Sequence, residues 1–495
     1  MDLNTILSAT NLFVLGALLL ARGLFQDAKY LDQQSFVLVI LLCLQTHVAL
    51  LIEKKRRDPF VILFAITTIL FFSLRILTLA LFPYSLVFER YSYSPGDSGY
   101  ALVFILVANT ALYGGFLLAS SRSAKRIELG DWQPTSAGRA AILLLAGVMF
   151  AYSSDRVAVP RVLSFLIVFV SQYTIVLLAF AYYLLFRKAI SRFVSILIIS
   201  LVIVEAVLHF LYGSRSALTG IVQNYILVTL AIAGTVNINR KLLKWGVLLL
   251  PAVAILLVGS YAISTYIRAS RTQGSVFDVS NALRIAVESG DQLATQSNLD
   301  VVIAPIFARA GYFDFSAELI ANRERYGRVI NIPAYGRSII DNLLTPGFDL
   351  FDQPKVSNSL HFVYEELGTP SKRLVDEEYQ SDQFGLYGEL YTLFSWGSIP
   401  IFFILAFLLK RIYLRLKGTN PFDLAIKRIV VLYTFGILIN SYGLDWVVIE
   451  VVPILIAIVV YKAFFKTRRH SAVRSPRPLV GAGVARAGQI QPKLT

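Results

Sequence analysis

The chain has 495 residues, 56% of them hydrophobic and only 16% charged, with a mean hydropathy of +0.65. An apolar share so far above that of an ordinary soluble domain excludes a soluble globular class and points to a polytopic membrane protein. The net charge of +15 does not imply nucleic acid, because the Lys and Arg residues stand in short clusters beside apolar runs, where orienting the spans accounts for them. The single cysteine, Cys43, lies within an apolar run, so neither a disulfide nor a cysteine-based zinc site is available.

A helix needs roughly 20 residues to cross the hydrocarbon core. Twelve runs qualify: 6–25, 36–52, 60–82, 100–119, 140–153, 162–186, 194–212, 217–236, 245–267, 386–409, 429–442 and 447–465. The first has no basic flank and no small-residue cleavage site, so it reads as a retained span rather than a signal peptide. The fifth is short, and the last two also read as a hairpin.

Alternate loops hold Lys54, Lys55, Arg56 and Arg57; Arg122, Lys125, Arg126 and Arg139; Arg187, Lys188 and Arg192; Arg240, Lys241 and Lys244; Lys410, Arg411, Arg415, Lys417, Lys427 and Arg428; and Lys462, Lys466, Arg468 and Arg469. The opposite short loops hold little beyond Arg22, Lys29, Arg90, Arg156, Arg161 and Arg215. The positive-inside rule therefore assigns both termini and these clusters to the cytoplasm and the long polar segment 268–382 to the outside. Omitting the short fifth span would invert everything after it and destroy this agreement.

The expected fold class is an all-α polytopic membrane protein with about 12 transmembrane helices and one large extracytoplasmic loop domain. Its divisions are helices one to nine over 1–267, the loop domain over 268–385, helices ten to twelve over 386–466, and a disordered basic cytoplasmic tail rich in Pro and Gly over 467–495. No heptad, solenoid or inverted repeat is evident in it.

Chemistry must come from polar residues that a bilayer makes expensive. At the outer end of the seventh span, the turn Gly213-Ser214-Arg215-Ser216 holds a guanidinium at headgroup level, where it pairs bidentately with a phosphate or simply snorkels to ordinary lipid. Arg268 and Arg271 leave the ninth span at the same level; they extend that anion site or merely flank a helix end. In the long segment, 303–322 reads as an amphipathic helical piece carrying Arg309, Asp314 and Glu318. His361 is the one extracytoplasmic histidine, a general base by its ordinary pKa or a structural side chain.

The stretch 381–397 places Asp382, Glu389 and Tyr391 at the mouth of the tenth span, with Gly385 and Gly388 permitting close backbone approach or re-entrant entry. A carboxylate there is a functional candidate or an ion pair locking the loop to the bundle. Within the spans, Gln45 and His47, Arg75, the Glu205/His209 pair one turn apart, and Glu450 need partners. Glu205 and His209 suit a proton relay or interhelical glue. Arg75 has to face a carboxylate, a water-filled cavity or a lipid pyrophosphate.

About a dozen spans, the Gly-Ser-Arg turn at 213–215, a late extracytoplasmic loop with Arg309 and Asp314, and the Gly-x-x-Gly-Glu-x-Tyr segment at 385–391 running into 394–397 together resemble the bacterial oligosaccharide repeat unit polymerases, the O-antigen polymerase (Wzy-type) family. The likeness covers most of the membrane portion in layout, while its sharp motifs are the two short ones. It implies a metal-independent integral glycosyltransferase, without cofactor, in the bacterial cytoplasmic (inner) membrane. Such enzymes join undecaprenyl-diphosphate-linked oligosaccharides on the outer face into O-antigen, capsule or exopolysaccharide, alongside a chain-length regulator and a flippase of the same pathway. By this resemblance Arg215 binds diphosphate, Arg309 diphosphate or sugar, and Glu389 orients or deprotonates the acceptor. His361 corresponds in kind to a loop histidine of the related O-antigen ligases, although no surrounding motif accompanies it. Arg268, Arg271, Arg75 and Tyr391 complete the expected substrate-binding set, with His361 and Asp382 beside Glu389 as catalytic candidates.

Two other classes fit some of these features: a lipid-linked oligosaccharide flippase or transporter, and another membrane glycosyltransferase such as an O-antigen ligase. The lack of an internal repeat and the one-sided long segment speak against the first.

Overall fold

A computed structural model describes residues 2–56, 58–82, 92–119, 126–128, 132–134, 172–188, 190–211, 217–234, 236, 311–328, 330–344, 350–351, 385–439, 447–448, 451, 455 and 467–469. The main helices are α1 (Leu3–Leu20), α2 (Gln33–Arg56), α3 (Pro59–Leu81), α4 (Pro95–Ala119), α5 (Gln172–Phe186), α6 (Arg192–Leu211), α7 (Ala217–Ala233), α8 (Tyr312–Ala321), α9 (Ile332–Leu344), α10 (Leu386–Phe394), α11 (Ile399–Arg415) and α12 (Pro421–Ile439). One antiparallel strand pair, Trp132–Pro134 with Thr467–Arg469, joins two connections.

Among the described residues, five segments are long and apolar enough by length and composition to cross a membrane: Leu3–Gln26, Gln33–Glu53, Pro59–Leu81, Pro95–Ala119 and, counted as one run across the turn at Ser395–Ser398, Leu386–Arg415. Leu177–Phe186 and Val222–Ala233 are shorter apolar helices. The expected spans at 140–153 and 245–267 and the tail beyond 469 lie outside the described residues.

Helix starts are specified locally. Asp2 caps α1 by accepting from the Thr5 N–H at 2.9 Å. Asp58 caps α3 through the Phe60 N–H, with Pro59 supplying the preset φ of a first helical residue. Ahead of α4, the Ser94 N–H donates to the Asp97 carboxylate at 2.7 Å while the Asp97 N–H donates back to Ser94 Oγ at 3.3 Å, a reciprocal capping box.

Contacts between connections sort the helix ends into two groups. Asp58 forms a buried ion pair with Lys410, which puts the close of α2 and the start of α3 beside the close of α11. The Leu3 N–H donates to the Val236 carbonyl at 2.9 Å and the Ile127 N–H to the Ile232 carbonyl at 3.0 Å, adding the start of α1, the stretch after α4 and the close of α7. Arg428 and Tyr413 both donate to the Ala231 carbonyl at 3.5 Å. Tyr182 and Phe186 pack on Phe422, adding the close of α5 and the start of α12. With the strand at 467–469, segments flanking all six basic clusters of the sequence gather at one end, called here the basic end. Helices α4 and α5 both close there; the short fifth expected span between them lies outside the described residues.

The apolar run expected as one continuous tenth span is interrupted. Tyr387 and Phe402 would stand ~22 Å apart along an unbroken helix. Their rings instead stack at 5.2 Å. The chain reverses over Ser395–Ser398, with Ser395 at φ 52°, so α10 runs toward the far end and α11 runs back to the basic end. Helix α11 then lies so close along α4 that a Cβ on Gly115 would run into the Phe403 carbonyl oxygen.

Candidate functional site

Two short helices, α8 and α10, are buried in the far half of the bundle, and both start deep. Tyr312 at the head of α8 packs on Phe71 of α3 with ring centroids 4.2 Å apart. Asp314, one step on, meets Arg75, which sits ~24 Å along α3 from its basic-end start. By Glu318 the same helix has reached the segment that opens α4. The described part of the long polar segment therefore does not all stand over the bundle: residues 312–321 are built into it.

The Arg75–Asp314 contact is a fork. Arg75 Nη2 donates to Asp314 Oδ2 at 2.6 Å, and Nε lies 3.2 and 3.3 Å from the two carboxylate oxygens. Both side chains are fully buried. A charge in such a place is tolerated only with a well-placed counter-charge, and the two parallel N–H bonds fix orientation as well as charge. Asp314 lies in the first turn of α8, where the helix dipole favours an acid. Immediately before Arg75, α3 loosens into a π segment over Thr68–Ser73, a local distortion frequent at functional positions.

Glu318 closes the other end of α8. Its carboxylate accepts from the Ser92 N–H at 2.9 Å, Ser92 Oγ at 3.2 Å, the Tyr93 N–H at 3.2 Å, Asn322 Nδ2 at 3.0 Å and Tyr326 Oη at 2.9 Å. That many donors give the carboxylate an anchoring role. Burial, reinforced by the Asp314 carboxylate, holds the Tyr93 hydroxyl well above the usual phenol range, so it stays protonated. Burial and the charge of Glu318 raise Tyr326 in the same way.

Helix α10 packs beside α8 in parallel. A Cβ on Gly388 would lie 2.6 Å from Leu319 Cδ1, 3.1 Å from Leu319 Cβ and 3.3 Å from Ser316 Cα, so a larger residue would require Leu319 to shift. Gly385, at φ 76°, makes the entry turn in a conformation that L side chains rarely adopt. The Tyr387 hydroxyl donates to Asn109 in the interior of α4. Glu389 is buried in the first turn of α10. At the far end, Tyr391 and Tyr100 share a hydroxyl contact at 2.8 Å, and Trp396 Nε1 donates to Tyr100 Oη at 2.7 Å, an aromatic rim of the kind found at membrane interfaces.

Of the expected catalytic and substrate-binding set, Arg75, Glu389 and Tyr391 are described. Helix α8 joins the first two, binding Arg75 through Asp314 and packing on Gly388 next to Glu389. Tyr391 stands in the aromatic rim. Arg215, Arg268, Arg271, Arg309, His361 and Asp382 lie outside the described residues; α6 and α7, which bracket Arg215, are described up to Leu211 and from Ala217. Gln45 and His47 act as interhelical glue, Gln45 to the Leu106 carbonyl and Thr110, His47 to Ser8. The side chains of Glu205 and His209, and Glu450, are outside the described residues.

Sequence reasoning did not single out Tyr387, Asn109, Tyr100 or Trp396. An amide in the interior of an apolar helix, as at Asn109, is the signal that could have found that contact. Comparison of the chain with protein-family models, with curated proteins and with solved structures finds no match, so function has to be read from the site's own geometry.

Proposed function

We propose that this protein is a metal-independent membrane glycosyltransferase that polymerises undecaprenyl-diphosphate-linked oligosaccharide repeat units into a surface polysaccharide. The far end faces the outside of a bacterial cytoplasmic membrane, and the basic end and both termini face the cytoplasm. One observation carries the reading: two short helices enter the far half of an apolar bundle and set a buried carboxylate, Glu389, beside the helix locked to Arg75. Irregular backbone at such depth is tolerated only where protein covers it or where it lines a polar cavity, and buried ionisable groups there are functional candidates.

In this reading Glu389 takes the proton of an acceptor hydroxyl on the incoming repeat. The freed oxygen attacks the anomeric carbon of the growing chain, and the bond from that carbon to the diphosphate breaks with its electron pair leaving on the lipid diphosphate. Arg215 and Arg309, with Arg268 and Arg271, stabilise the charge that develops there, while Asp382 and His361 are further acid–base candidates. Arg75, held by Asp314, positions α8. A chain-length regulator and a flippase of the same pathway are the expected partners.

A second reading has one specific observation in its favour. Interrupted helices at mid-depth are also how carriers bind substrates, which supports a lipid-linked oligosaccharide flippase. Purified protein given undecaprenyl-diphosphate oligosaccharides separates the two. Polymerisation predicts a ladder of lengthened glycans that falls at least ~100-fold in rate in Glu389→Gln and Arg215→Ala. Movement of substrate across liposomes without new glycosidic bonds selects the carrier, and transfer to a lipid A core acceptor selects the ligase.

A further inference from the structure

Helix α9, Ile332–Leu344, is inside out. Among its described side chains, those buried are Tyr335, whose ring joins the hydrophobic core, Ser338 and Asp341, a strip bearing polar groups at three-residue spacing. Asp341 accepts from the N–H groups of Leu350 and Phe351 at 3.0 and 3.3 Å, so this strip is committed to the protein. Its outward face carries Ile332, Ile340 and Leu343 at 61%, 42% and 55% exposure, and Leu350 beyond its end is 64% exposed. At 100° per residue these three helix positions fall within one narrow stripe together with Gly336, opposite the polar strip. A water-facing helix would present the reverse pattern.

The surroundings indicate what covers that stripe. The short helical turn Arg323–Tyr326 follows α8 directly, at the end of the bundle marked by Glu318, Ser92 and the start of α4. Arg323 and Arg328 there are exposed, and Arg337 flanks the stripe on α9 itself. Apolar side chains on one face of α9, with guanidinium groups on α9 and on the segment that leads into it, match the boundary between lipid headgroups and acyl chains, where the arginines meet phosphates. The exposed apolar flanks of α1 and α2 belong to spans that face the same medium.

We propose that α9 lies in the plane of the far-end leaflet, its Ile332/Ile340/Leu343 stripe inserted at the headgroup–acyl boundary of the bilayer. This docking is independent of the glycosyl-transfer reading. It ties the chain after α8 to the membrane surface, next to the place where α8 and α10 emerge.

The test is a nitroxide scan of full-length protein in proteoliposomes of phosphatidylethanolamine and phosphatidylglycerol. Single cysteines replace Ile332, Arg328, Gly336, Ile340 and Leu343 in turn, in a Cys43→Ser background. Lipid insertion predicts an oxygen-to-nickel-complex accessibility ratio several-fold higher at 332, 340 and 343 than at 328. Equal access of the nickel complex to all these sites would show a helix open to water. Exclusion of both reagents at the apolar sites would show a stripe covered by protein, from this chain or a second copy. Either result overturns the proposal, and because the labels sit on exposed positions, folding is not at stake.

Discussion

At the scale of single residues, the pair that defines the far half of the bundle is Arg75 with Asp314. Removing one partner leaves the other as an uncompensated buried charge, whereas removing both with apolar side chains of similar size does not. Arg75→Met and Asp314→Leu should therefore each cost about 3–5 kcal/mol, and the double variant should recover most of that loss. Thermal unfolding of the four proteins in detergent completes the cycle; additive losses would mean that the two charges do not depend on each other. That Arg75 needs a partner was legible in the sequence, with a carboxylate, a water-filled cavity and a lipid pyrophosphate all open, since a charge cannot face lipid. That the partner is Asp314 was not: 239 positions separate the two, and nothing local to Asp314 marks it as buried. Glu389 stood out in the sequence through its glycine-flanked motif, while Arg215, Arg309, Arg268 and Arg271, expected to join it, lie outside the described residues.

At the scale of elements, the informative feature is the reversal between α10 and α11. A hairpin of two apolar helices and one uninterrupted span have the same composition, so hydropathy alone merges them into a single run. Gly385 and Gly388 allowed a re-entrant entry to be considered, but the turn itself rests on Ser395, whose positive φ has no sequence signature. The contact of α8 with α10 has a direct check. Gly388→Ala drives a methyl group into Leu319 and toward the Ser316 backbone, an overpacking expected to cost about 1–3 kcal/mol and to depress activity with it. Gly336→Ala on α9 meets nothing within 4 Å and should hold or raise stability by up to about 1 kcal/mol through helix propensity. Melting temperatures of the two variants that moved together would contradict the packing described between α8 and α10.

At the scale of the whole molecule, charge placement was the most readable feature. Short clusters of Lys and Arg, spaced by apolar runs, foretold that their flanking segments would meet at one end, and the contacts through Asp58, Val236, Ala231 and Phe422 bring them together there. Less readable was the fate of the long polar segment. Its polarity suggested a domain outside the bundle, yet residues 313–320 are buried because a fixed charge on α3 and a cluster of donors before α4 satisfy their two acids. Polarity measures the cost of burial, not whether partners exist to offset it.

The proposed chemistry requires the far end to face outward, where lipid-diphosphate oligosaccharides can reach α8 and α10. The direct measurement is labelling of intact cells with a membrane-impermeant maleimide, using single cysteines in a Cys43→Ser background. Glu324→Cys, at the close of α8, should react in intact cells, and Lys417→Cys, beyond α11 at the basic end, should react only after permeabilisation. The opposite pattern would put the Glu389 side of the bundle in the cytoplasm and contradict the proposed outer-face reaction.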